Sequence, residues 1–312
     1  MSAFAIADEV LDALRSGAGV VALETSVVAQ GLPAPHNLAA ARACEAAIRA
    51  AGAVPATVAV LGGVLRVGIT ADELSRLASL GKAASKAGAR ELPLLCARGA
   101  DAGTTVSGTL AACRLAGIRV FATGGIGGVH RRGPSEPLDV SADLAAIAET
   151  QAAVVCAGAK SILDLPATLE ALETLGVPVW GLGASELPAF FHNESGLAVE
   201  RADVAEVARA LHLRWGALAQ TGGAVVANPV PAESALPKAL VEDAIAAALS
   251  QARADGVRGA AVTPYLLAAV AARSGGRTLA TNLAVLESNA RAAANLAVLL
   301  ASAPDRATPP RP

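Results

Sequence analysis

Of the 25 Lys and Arg residues in this 312-residue chain, only four are lysine, and one of them, Lys160, closes the apolar run Ala152–Ala159. A guanidinium stays protonated and is a poor nucleophile, so a chain that otherwise uses arginine keeps lysine where an amine is needed. A strand exit followed by a helix start favours the neutral amine, which can attack an electrophilic carbon and form an imine. A lysine snorkelling from a strand end is the alternative. Glu24, in LETS, sits inside a second apolar run, Gly19–Val28. A carboxyl group there is costly to ionise unless paired, which suits a proton donor; a buried ion pair is the plainer reading. A third stretch, LDVSADL, places Asp139, Ser141 and Asp143 just before a helix. Such oxygens can cap the helix, hold a sugar hydroxyl or bind a hard cation. Capping accounts for Ser141 or Asp143 more readily than for Asp139.

Two glycine-containing stretches add binding capacity. In AGTTVSGT, Thr104, Thr105 and Val106 open a helix after a strand, where free N–H groups make an anion site or threonine simply caps the helix. In FATGGIGGVHR, four glycines follow a strand and let a loop fold closely against a ligand. The spacing is not G-x-G-x-x-G, because His130 occupies the sixth position, so a dinucleotide site is not indicated. His130 is left as a substrate contact or a surface histidine.

These residues must be positioned by alternating elements. Apolar runs predict strands over Gly19–Val28, Ala56–Leu61, Leu92–Ala97, Ile118–Ala122, Ala152–Ala157, Val177–Leu182 and Ala224–Ala227. Helical periodicity falls between them, over Asn37–Ala51, Ala71–Leu80, Thr104–Leu115, Ser141–Thr150, Ser161–Leu175 and Val204–Leu218. Continuous apolar strands alternating with helices predict a three-layer α/β/α sandwich around a mostly parallel sheet. A hairpin through Gly62-Gly63 would make that sheet mixed. Helical segments over Leu240–Ala254, Tyr265–Arg273 and Asn282–Ala301 are expected to cap the same domain. Residues 1–303 are therefore read as one catalytic α/β domain, and 304–312 as a disordered tail.

Composition excludes several classes. The net charge of -2, the absence of a basic run and an aromatic content of 2% argue against a nucleic-acid partner. No uninterrupted apolar run approaches the roughly 18 residues of a membrane span. Asp8, Glu9 and Asp12 stand where a signal peptide would be basic and then apolar, so a soluble cytoplasmic protein is expected. Cys44, Cys96, Cys113 and Cys156 show no C-x-x-C spacing and read as buried hydrophobes.

Taken together, LETSVVAQGLPAPHN, GAVPATVAVLGGVLRVGIT, AGTTVSGT, GIRVFATGGIGGVHR, DVSADL, VVCAGAKSILDLPATLE, LPAFF, VVANPVP and TPYLLAAV resemble, in order, the pseudouridine-5'-phosphate glycosidase or indigoidine synthase A-like family. The resemblance runs from about Ala22 to Asn289. It implies reversible cleavage of the C–C glycosidic bond of pseudouridine 5'-phosphate to uracil and ribose 5-phosphate, by homotrimers that use Mn²⁺ or a similar divalent ion such as Mg²⁺. Carried over motif by motif, it implies Lys160 as nucleophile, Glu24 as proton donor and Asp139 as metal ligand. Ser141, Ala142, Asp143, Val106, Lys86, His130 and Asn282 match substrate-binding positions. Family members carry histidine before the glycine of E-S-T-x-x-S-H-G, where this sequence has Gln30. The alternatives are an imine-forming aldolase acting on another sugar phosphate, and a sugar-phosphate-binding protein without catalysis.

Overall fold

The computed structural model describes residues 3–132, 138–257 and 262–302. The expected tail, 304–312, lies outside them. Its centre is a sheet of eleven strands among the described residues. The central run, in spatial order, is Val54–Leu61, Val20–Leu23, Val120–Ala122, Ala153–Cys156, Ala224–Ala227, Val179–Leu182 and Glu200–Ala202, all parallel. Antiparallel pairing enters the sheet where Val54–Leu61 meets Val64–Val67 and Ala102–Thr104. The mixed, mostly parallel sheet expected from the sequence is what forms.

The strands read as unbroken apolar runs because both faces are covered. Ala22, Val154, Cys156 and Val225 face one core, with the helices Val106–Ala116, Ala142–Ala148 and Leu165–Thr174. Their neighbours Val21, Leu23, Ala153, Val155, Ala224 and Val226 face a second core, with His36–Ala50, Val204–Trp215 and Arg277–Ser302. This period-two division between cores fits strands buried on both sides. The helices Lys238–Ala254 and Val262–Arg273 pack on the first core. The last helix belongs to the second layer itself. It is long and apolar enough to cross a membrane, but Val285, Leu286, Ala290, Ala293, Leu296 and Leu300 are buried in the protein.

Several expectations are corrected. Leu92–Ala97 is a helix, not a strand. Pro93 supplies no N–H to a ladder and suits a first helical turn. The strand expected over Gly19–Val28 ends at Leu23, and Val27–Gly31 forms one π-helical turn rather than continuing it. Thr104 ends a strand, and the helix after it starts at Val106 with Thr105 as its N-cap. The helix after Lys160 begins at Leu165, not Ser161. Leu163–Asp164 first pair with Val129–His130, and Asp164 then caps the helix by accepting from Ala167 N–H at 3.0 Å.

Candidate active site

Glu24, Thr123 and Lys160 all follow the carboxyl ends of adjacent parallel strands, Val20–Leu23, Val120–Ala122 and Ala153–Cys156. The chain leaves the first of these for Val54–Leu61 on one side and later forms Val120–Ala122 on the other. The strand order thus reverses at this point, and in open α/β sheets ligands bind in the crevice so created.

Both carboxylate oxygens of Glu24 are held. The Ser26 hydroxyl donates to Oε2 and the Thr123 hydroxyl to Oε1. The loop behind Thr123 is fixed from below: Asn289 Nδ2 donates to Thr123 O at 2.8 Å and Gly124 O at 3.3 Å. Asn228 Nδ2 in turn donates to Asn289 Oδ1 at 2.9 Å. Thr25 turns the chain away, its hydroxyl on Val58 O at 2.6 Å.

Lys160 is half-buried at the end of a loop zipped to the glycine stretch. Ala157 N–H donates to Gly124 O, Ile126 N–H to Gly158 O and Lys160 N–H to Ile126 O, at 2.9, 3.1 and 3.1 Å. Gly158 needs its φ of 78°, and a Cβ there would stand 2.1 Å from Pro188 O. The helix start expected directly after Lys160 lies at Leu165 instead, and Ala157 and Ala159 before the lysine are buried. Phe190 adopts φ 67° and packs its ring on the glycine loop, its N–H on Ala157 O at 2.9 Å. A non-glycine residue held in this region is strained and persists only where its surroundings fix it.

Asp143 is a buried bracket. Its Oδ1 accepts from Ser107 N–H at 3.0 Å and its Oδ2 from Gly127 N–H at 2.9 Å, tying the Val106 helix start to the glycine loop. A Cβ on Gly127 would lie 2.2 Å from Ser141 Oγ, so the glycines admit protein as much as ligand. Ser141 caps the next helix, its Oγ accepting from Asp143 N–H at 3.2 Å; Ala142 beside it is exposed.

At the anion candidate, the Thr104 hydroxyl is wholly buried and donates to Val58 O at 2.8 Å, so it is scaffold rather than contact. Thr105 N–H donates to Ala87 O and Gly108 N–H to Thr105 Oγ1. The Val106 N–H between them takes neither acceptor. Lys86 lies exposed on Ser85–Ala87, the strand beside Ala102–Thr104. Asn282 lies over Gly124, its Oδ1 3.4 Å from where a Cβ would stand.

Burial pushes the His130 imidazole below the ordinary histidine range; the Asp139 carboxylate opposes this and a positive charge on Lys160 adds to it. Both are therefore within electrostatic reach of the ring, and His130 N–H donates to Asp139 O at 2.9 Å. Among the described residues no three His, Cys, Asp or Glu side chains converge. The donor at hand, the exposed Asp139 carboxylate, fits a hard cation whose remaining ligands are water. A cavity of about 390 Å³ contains none of these residues. It lies across the Val129–His130 ribbon, lined by Arg131, His192 and Lys238. The strand ends, and not this cavity, carry Glu24, Thr123 and Lys160. A small apolar recess does adjoin Glu24 and Thr123.

Residues 9–299 match the family described as indigoidine synthase A like protein. The chain belongs to that family. A relative from Myxococcus xanthus, named pseudouridine-5'-phosphate glycosidase, is 54% identical over 95% of this chain and 98% of its own. A relative of the same name from Solibacter usitatus is 51% identical over 94% and 97%. Among solved structures, a prealnumycin C-glycosynthase in complex with ribulose 5-phosphate is similar, with a TM-score of 0.88 and 40% identity over 96% of this chain and 97% of that one. An indigoidine synthase A-like protein from Thermotoga maritima is similar at a TM-score of 0.86, with 36% identity over 96% of each chain.

Thr123, Ser26, Asn228, Asn289 and Phe190 were not singled out from the sequence.

Proposed function

We propose that the protein is a pseudouridine-5'-phosphate glycosidase, which cleaves the substrate reversibly to uracil and ribose 5-phosphate. The observation that carries this is the placing of Glu24 and Lys160 after the carboxyl ends of two parallel strands with only Val120–Ala122 between them, in a fold whose relatives bear that name over nearly their whole length.

The Lys160 amine bonds to C1' of the ribose as the ring oxygen leaves and takes a proton. The nitrogen lone pair then forms the iminium while the C1'–C5 bond breaks, its electron pair passing to the uracil ring. Glu24, as the general acid, protonates C5. Water adds to C1' and releases ribose 5-phosphate and the free amine. Ser26 and Thr123 hold the Glu24 carboxyl in one orientation throughout. His130, neutral through burial, can donate to or accept from the opened sugar without bringing a charge.

The Val106 N–H and the Lys86 ammonium serve the 5'-phosphate. Ser141 and Ala142, beside the buried Asp143 bracket, line the same end of the site. Asn282, projecting over Gly124, reaches toward the uracil. Asp139 would hold a divalent ion such as Mn²⁺ or Mg²⁺, which supplies positive charge beside the substrate's oxygens.

The protein acts as a cytoplasmic homotrimer. Exposed Leu138 and Val140, flanking Asp139, are the kind of apolar surface a subunit contact covers. The four free cysteines suit a reducing compartment. Incubation with pseudouridine 5'-phosphate should yield uracil and ribose 5-phosphate in equal amounts. An aldolase or a non-catalytic binding protein would yield no uracil.

A further inference from the structure

We infer that Gln30 is a positioning residue that sets the Lys86 ammonium against the substrate's phosphate. The inference rests on the phosphate role given to Lys86 above. Lys86 sits in a strand of three residues, Ser85–Ala87, which pairs on one side with Ala102–Thr104. The Gln30 carboxamide holds the chain just before it: Nε2 donates to Ala84 O at 2.8 Å and to Ser85 O at 3.1 Å, the two carbonyls preceding Lys86. A strand this short has few hydrogen bonds of its own, so two supplied by one side chain decide where it lies. The Lys86 side chain is exposed, so the backbone beneath it sets where its ammonium points.

The amide orientation is fixed. Turned over, its oxygen would face two carbonyl oxygens; as it stands, Oε1 is buried without a partner. An unmade bond of that kind is costly, so the residue's contribution is the pair of donors. Gln30 is itself anchored in the π-helical turn Val27–Gly31, where Val28 and Ala29 N–H both donate to Thr25 O, at 3.1 and 3.0 Å. That turn begins three residues after Glu24. It is wedged on the Ala102–Thr104 strand, where a Cβ on Gly103 would stand 2.7 Å from Thr25 O. One short turn just after Glu24 therefore holds, through Gln30, the chain that leads into Lys86.

The test is a double-mutant cycle on ribose 5-phosphate binding, read by titration calorimetry. Gln30→Met keeps the length of the side chain and removes both donors; Gln30→Glu keeps the shape and replaces the donors with oxygen. Either should weaken ribose 5-phosphate by about tenfold, the order of one lost charge-assisted contact, and add almost nothing in a Lys86→Met background. In turnover the loss should appear in KM for pseudouridine 5'-phosphate, with kcat within about twofold. Binding within about twofold of wild type in both variants, or an undiminished loss in the Lys86→Met background, overturns the inference while leaving the glycosidase reading intact. If the wild type releases no uracil yet shows the Gln30–Lys86 coupling, the glycosidase reading falls and this one stands. A wild type that does not bind ribose 5-phosphate ends both.

Discussion

Thr123 and Glu24, 99 residues apart in the chain, meet where two neighbouring parallel strands end, the threonine hydroxyl donating to one carboxylate oxygen while Ser26 serves the other. The contact lies at the reversal of strand order, and Asn289 braces it from the last helix. A carboxyl group held by two hydroxyls is restrained in orientation, and in the proposed reaction its proton would be delivered along one line.

Glu24→Gln tests that delivery. Glutamine keeps the shape; its oxygen can still accept from one hydroxyl and its NH2 can donate to the other, which turns to accept, so thermal unfolding should stay close to wild type. Turnover should fall on the order of 10²–10⁴-fold, the usual loss when a general acid is removed. A variant within about threefold of wild type would remove Glu24 from the chemistry.

Asp143→Ala tests the bracket between the glycine loop and the Val106 helix. Removing the carboxylate leaves the Ser107 and Gly127 N–H groups without their acceptors in a buried place. Two such groups should cost about 2–4 kcal/mol of stability, measured by denaturant unfolding. Asp143→Asn, which retains one acceptor, should lose less. A loss below about 0.5 kcal/mol for the alanine variant would mean that solvent reaches both groups freely.

Asp139→Ala bears on the cation. The carboxylate is exposed and caps no helix, so the variant should fold with little change in stability. Activity should fall with EDTA, return with Mn²⁺, and be lost in the variant at any Mn²⁺ concentration. Full activity of Asp139→Ala in EDTA would contradict a metal role for this residue.

Much of the fold was legible because burial on both faces writes itself as unbroken apolar runs: Ala152–Ala157 was read as a strand, and Ala153–Cys156 forms one. Leu92–Ala97 has the same apolar look and is a helix, since Pro93 decides against a ladder and a six-residue run has no period to arbitrate. Strands of two or three residues, such as Val129–His130 and Leu163–Asp164, carry no pattern at all, and missing the second displaced the helix start by four residues. At the site, Glu24 and Lys160 were visible because each interrupts an apolar run. Thr123 and Asn289 were not, because a threonine and an asparagine gain meaning only from partners far away in sequence, and Asn289 lies 166 residues from the carbonyl it holds. Asp143 was read as a cap or contact, and its bracketing role depends on two backbone N–H groups that no spacing reveals.

The central claim is that the Lys160 amine bonds covalently to the sugar, and reductive trapping measures this most directly. Wild-type protein mixed with ribose 5-phosphate and a hydride reductant, then digested and mapped by mass spectrometry, should carry a ribose-phosphate adduct on the peptide containing Lys160. Lys160→Arg should keep the fold and the charge, lose uracil release and gain no adduct, because a guanidinium does not form the imine. An adduct on Lys86 instead, together with an active Lys160→Arg variant, would contradict the account and exchange the roles of the two lysines.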